Sequence, residues 1–107
     1  MDEVTLAKES YHLILKDFGL EEDMDFEEVD IVFDWLTDYL TRQVSILLDQ
    51  DFNRLLNTLY RIDISEEKTK ELINLSSPET IARNIAIAII EREKEKVISR
   101  ERYRKPQ

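Results

Sequence analysis

The chain has 107 residues, of which 24 are acidic, 15 are lysine or arginine, one is histidine and none is cysteine. This length is typical of one domain with its own core. The formal net charge of -9 disfavours nonspecific binding to nucleic acid or to anionic membranes. With no cysteine and one histidine, the chain lacks most of the side chains used in nucleophilic or metal catalysis.

One glycine and two prolines in the whole chain predict helix almost everywhere, because these residues disfavour helix interiors most strongly. Apolar residues recur with the period of a helix and not with the period of two that is typical of strands. The predicted fold is therefore an all-α, single-domain bundle of four or five helices. The longest apolar run, at 85–90, is too short to span a membrane, and we expect a cytoplasmic protein.

The first predicted helix runs from about Glu3 to Phe18. Its apolar side chains are spaced by three or four residues and therefore share one face. These side chains are Val4, Ala7, Tyr11, Ile14 and Phe18. Gly19, the one glycine, follows at the position where a left-handed helix cap is favoured.

The second predicted helix begins after Asp25, which forms a capping-box pattern with Glu28. Its main apolar face consists of Val29, Val32, Phe33, Leu36, Leu40, Val44, Leu47 and Leu48. Apolar spacing continues to residue 59, and one helix over 26–61 would be about 54 Å long. That length is unusual for a domain of this size, so we predict a break at 49–51, with a continuous helix as the alternative.

Two more helix starts follow. A serine and two glutamates at 65–67 predict a short fourth helix that ends near residue 75. The triplet Ser77-Pro78-Glu79 predicts the start of the last helix, because a cap, a first-turn proline and an acid follow in the favoured order. Residues 85–90 are apolar on all sides of that helix, which predicts that these two turns lie deep in the core.

The second helix carries more apolar surface than one core contact needs. Beside its main face runs a second apolar row of Ile31, Trp35, Tyr39 and Ile46. Either this helix is central in the bundle, or the row meets a partner. Tryptophan and tyrosine often anchor protein interfaces. We therefore predict a noncatalytic interaction protein that uses this row as a homodimer or as a subunit of a larger assembly.

Charge is distributed unevenly along the chain. Residues 1–30 hold eleven acids and two lysines, whereas residues 91–107 hold seven basic residues and four acids. Pairing between these ends, within one chain or across a dimer, would orient an interface. The candidate residues for this pairing are Glu21, Glu22, Glu27, Glu28, Arg100, Arg102 and Arg104. The alternative is a solvated final helix with ion pairs three or four residues apart, such as Glu91 with Lys94.

A Mg²⁺-dependent nucleotide hydrolase is the first alternative function. The acidic motifs Glu27-Glu28-x-Asp30 and Glu66-Glu67-x-x-x-Glu71 loosely resemble, at a different spacing, the paired acidic motifs of the MazG-like pyrophosphatases. Carboxylates are the ligands that Mg²⁺ prefers, and such a site would activate water for attack on phosphate.

A nucleic-acid accessory protein is the second alternative. It would bind through the basic tail, with Tyr103 stacking on a base, although four glutamates interrupt the tail. The pair Glu9-x-x-His12 has the spacing of a bundle metal motif, but a di-iron bundle needs two such pairs and the chain has one histidine. The prediction is therefore a protein partner, with no metal, no cofactor, no nucleic acid and no membrane.

Three segments carry a resemblance to known proteins. They are DFNRLLNTLYRIDI at 51–64, IIERE at 89–93 and KVISR at 96–100. Together they resemble a group of short uncharacterised all-helical bacterial proteins over roughly residues 40–103. The resemblance implies a helical domain in the cytoplasm, and it brings no activity and no functional residues with it.

Overall fold

The computed structural model describes residues 3–19, 29–74 and 77–104. The five helices are α1 (Glu3–Phe18), α2 (Val29–Gln50), α3 (Phe52–Ile62), α4 (Glu66–Ile73) and α5 (Pro78–Arg104). These described ranges contain no strand, and the predicted all-α bundle is confirmed. The capping box predicted at residues 25–28 lies outside them.

Helix α5 is the central element of the bundle. Its 27 residues are about 40 Å long, close to the 44 Å longest dimension of the molecule, and it contacts each of the other four helices. Ile85 and Ile89 are fully buried, as predicted. Ile87, in the same apolar run, is 40% exposed. The prediction of complete burial was wrong at this position, because one side of α5 faces an open groove.

The predicted break between the second and third helices is confirmed. Asp51 is the one residue between them, and its backbone is not helical, with φ of -154° and ψ of 72°. Its Oδ1 accepts a hydrogen bond from the Arg54 N–H at 3.2 Å, while its own N–H donates to the Leu47 carbonyl at 2.9 Å. One residue therefore ends α2 and caps α3.

We expect Asp51→Ala to lower the free energy of unfolding by about 1 kcal/mol, because the first turn of α3 loses its side-chain acceptor. The matched control is Asp49→Ala, at an exposed position in the last turn of α2. The control should be neutral or slightly stabilising, since an acid is unfavourable at a helix C-terminus. Urea unfolding measures both, and equal losses would show that the cap contributes nothing.

The other helix ends also follow the sequence. Gly19 adopts a φ of 64° directly after α1, in the left-handed region that favours glycine. The Ser65 hydroxyl accepts from the Lys68 N–H at 3.1 Å and caps α4. The Ser77 hydroxyl accepts from the Thr80 N–H at 3.2 Å at the start of α5. Helix α4 ends two residues earlier than predicted.

Candidate functional site

The apolar row predicted as an interface is divided by the fold. Trp35 stacks on Tyr39, with ring centroids 5.0 Å apart and planes at 10°, and meets the Tyr11 ring of α1 edge-on at 6.0 Å. Tyr39 is 8% exposed, so its side chain belongs to the packing inside the chain. Ile46 is 48% exposed and faces solvent. The side chain of Ile31 lies outside the described part of the structure.

The predicted pairing between the acidic segment and the tail remains a prediction. Arg100 and Arg102 are exposed. Arg100 lies across a hollow of about 280 Å³ from α1, opposite side chains that include His12 and Lys16. The glutamates at 21, 22, 27 and 28, and the side chain of Arg104, lie outside the described residues.

Charged side chains in the second half of α5 attach this helix to three other elements. The Lys94 ammonium lies 4.0 Å from the centre of the Phe33 ring on α2. The Lys96 ammonium lies 3.8 Å from Asp17 Oδ2 on α1. Arg92 reaches the corner between α3 and α4. The charged half of the helix therefore packs against the bundle, and the Glu91–Lys94 pair is present at 3.5 Å.

A groove of about 600 Å³ lies between α5, α4 and the α3–α4 corner. We call it the α4–α5 groove. Its apolar residues are Ile64, Leu72, Ile87 and Ala88, and its charged residues are Asp63, Lys68, Glu91, Arg92 and Glu95. Ile64 and Leu72 are both 7% exposed and Ile87 is 40% exposed, so these side chains form an apolar floor under a charged rim.

Arg92 organises one end of this groove. Its guanidinium donates to Asp63 Oδ2 at 3.1 Å, to Glu95 Oε2 at 3.0 Å and to the Ile62 carbonyl at 3.3 Å. Asp63 terminates α3 in the left-handed conformation, with φ of 73°, and its N–H donates to the carbonyls of the last turn. The corner between α3 and α4 is thereby held on α5 by one side chain.

A second notable site is a buried pair of acids between α1 and α5. Glu93 is fully buried beside Asp17, and neither carboxyl oxygen of Glu93 has a hydrogen-bond donor among the described residues. Lys96 Nζ lies 3.6 Å from Glu93 Oε1. Burial above all, and then the neighbouring Asp17, raises the pKa of Glu93 to about 8, while Lys96 acts in the opposite direction.

The position of these two carboxyls favours a form in which Glu93 keeps its proton. Two ionised carboxylates can only accept hydrogen bonds, so they have no attractive contact with each other. The raised pKa of Glu93 favours its protonated form at neutral pH, in which its hydroxyl can act as a donor towards Asp17. The sequence held one signal for this site: Glu93 lies four residues after Ile89 and four before Val97, both fully buried, so it occupies an apolar row of the helix.

The acids proposed for a metal site do not form one within the described ranges. There, no three histidine, aspartate or glutamate side chains converge in a way that would hold an ion. The α4 carboxylates Glu66, Glu67 and Glu71 are exposed. Glu27 and Glu28 lie outside the described residues, so the hydrolase alternative stays a prediction.

Comparison with known proteins found no matching family model, no similar curated protein and no similar solved structure. The resemblance to short bacterial helical proteins therefore remains a prediction. Within the described part of the chain, no helix combines the length and apolarity needed to cross a bilayer.

Proposed function

We propose that this protein is a noncatalytic interaction module that binds an apolar segment of a partner protein in the α4–α5 groove. The observation that carries the proposal is the exposure of Ile87 at 40%, between the fully buried Ile85 and Ile89 of the central helix. Together with Ile64 and Leu72 it lines an apolar floor with a charged rim. Such grooves are typical of sites that receive an amphipathic helix or an extended strand.

The charge of the groove favours a basic partner segment. Its charged residues are three acids, Asp63, Glu91 and Glu95, against two bases, Lys68 and Arg92, and Arg92 already pairs with two of the acids. The whole chain carries -9. A segment with an aliphatic anchor between lysines or arginines would bury its anchor against Ile87 and approach faster through electrostatic attraction. The small area of the groove favours a weak, transient complex.

The proposed surface differs from the row predicted on α2. Trp35 and Tyr39 already pack against each other and against Tyr11, which leaves Ile46 as the exposed described member of that row. An anchor residue must be exposed to water before binding, so that its burial in the complex stabilises the contact. The aromatic pair is already largely buried within the chain.

The test is a titration of the isotope-labelled protein with two synthetic helical peptides. Both peptides carry leucines four residues apart, flanked by lysines in one peptide and by glutamates in the other. We expect the lysine peptide to shift the amide signals of Ile64, Leu72 and Ile87, with a Kd of roughly 100 μM, as befits a small contact. The glutamate peptide should produce no shifts at the groove.

Two matched variants identify the anchor. Ile87→Glu should abolish the shifts, whereas Ile98→Glu should preserve them. Ile98 lies on the same helix with nearly the same exposure, 39%, and is not among the groove residues. The proposal fails if neither peptide shifts the groove signals, if both bind equally, or if the two variants weaken binding to the same extent.

A further inference from the structure

We propose that one proton shared by Asp17 and Glu93 holds the C-terminal end of α1 on α5, and that α1 loosens from the bundle when this proton is lost. This would make the contact between the two helices dependent on pH. The inference is independent of the α4–α5 groove.

The charge balance of the cluster supports this proposal. With one proton present, the Asp17 carboxylate and the Lys96 ammonium, 3.8 Å apart, cancel each other. Without the proton, two carboxylates face one ammonium, and Glu93 is fully excluded from solvent. Water cannot screen the added negative charge, so relief requires that the two helices move apart.

Two charged side chains act on Glu93 among the described residues. Among the described residues, Asp17 on α1 and Lys96 on α5 are the charged groups that act on Glu93, and none on α2, α3 or α4 does so. Helix α3 contributes Arg61, whose guanidinium donates to the backbone carbonyl of Asp17 at 3.4 Å. This bond holds the backbone of α1 beside α3.

The position of Asp17 determines what loosening would uncover. It lies beside Phe18 and one turn after Ile14, both buried in the core. Displacement of this end of α1 would expose these side chains and the face of α5 that they cover. The one tryptophan of the chain, Trp35, contacts Tyr11 of α1 at 6.0 Å, so its fluorescence reports on the position of the helix.

The experiment follows Trp35 fluorescence and the hydrogen-exchange protection of α1 amides from about pH 6 to pH 9.5. We expect protection of α1 to fall as pH rises and to level off near pH 8, the pKa of Glu93 in the folded state. Glu93→Gln keeps a neutral side chain of the same shape and should show no transition. Asp17→Asn should move the transition to lower pH, because burial still raises the pKa of Glu93 but the neutral amide no longer repels its ionised form.

Stability provides a second readout. The pKa of Glu93 is raised above its ordinary value of 4.5, so protonation stabilises the fold and this contribution is lost as pH rises towards 8. Relative to Glu93→Gln, the unfolding constant of the unmodified protein should therefore grow up to tenfold per pH unit across this window, and no further above it. Other titrating groups are common to both proteins and drop out of the ratio.

The matched control is Glu91→Gln, an exposed acid two residues away on the same helix. It should leave the transition and the stability ratio unchanged. A flat profile in the unmodified protein would overturn the proposal. So would a Glu93→Gln variant that retains the transition, or a Glu91→Gln variant that loses it.

Discussion

Ile89→Ala should lower the free energy of unfolding by about 3 to 4 kcal/mol, one of the largest losses expected from a single truncation in this chain. Ile89 is fully buried on α5, the helix that contacts all four others. The substitution removes apolar atoms from the core and leaves a cavity. Filling that cavity would require several of the surrounding helices to move. Urea unfolding followed by circular dichroism at 222 nm measures the loss.

Ile87→Ala is the matched control for this prediction. It changes the same residue type on the same helix, two residues away, but at a side chain that is 40% exposed. We expect a change of less than about 0.5 kcal/mol, since alanine is the better helix former and little burial is lost. Losses of similar size at the two positions would contradict the burial pattern of α5 and remove the basis of the proposed groove.

Trp35→Ala should destabilise the fold by about 2 to 3 kcal/mol and leave the molecular mass in solution unchanged. The indole stacks on Tyr39 and contacts Tyr11 edge-on, and each such pair contributes about 0.5 to 1.5 kcal/mol beyond the burial of its area. The expected loss is below that of a fully buried tryptophan because Trp35 is half-buried.

Two measurements separate this interpretation from a homodimer anchored by Trp35. Chemical unfolding gives the stability, and light scattering at tens of micromolar protein gives the mass. Trp35→Phe should recover part of the loss, because a smaller aromatic ring can still contact Tyr39 and Tyr11. If Trp35→Ala instead halved the mass and left unfolding unchanged, the row predicted from the sequence would be the interface after all.

The sequence was sufficient for the fold class and for most helix ends. These depend on local chemistry: Gly19 provides the left-handed cap, Ser65 and Ser77 accept hydrogen bonds at helix starts, and Asp51 accepts one at the break. Each of these signals acts within about four residues. A reader of the chain alone can therefore locate them.

Most of the candidate sites could not be predicted from the sequence. The apolar run at 85–90 indicated burial, but its pattern did not reveal that Ile87 would face a groove. The second row on α2 indicated excess apolar surface, but not that Tyr11 would cover its aromatic part. Periodicity defines the faces of a helix, whereas the neighbours of each face depend on how helices distant in the chain pack together.

Local propensity and capping determined that this chain is helical and where most of its helices begin and end, because those preferences belong to each segment by itself. Tertiary structure decided that the apolar side chain of Ile87 is exposed and that the acidic side chain of Glu93 is buried. The pKa of Glu93 is raised because water is excluded from it and because Asp17, 76 positions earlier in the sequence, is brought beside it. The residue pattern of a single helix cannot predict that two carboxyls distant in the sequence will lie side by side.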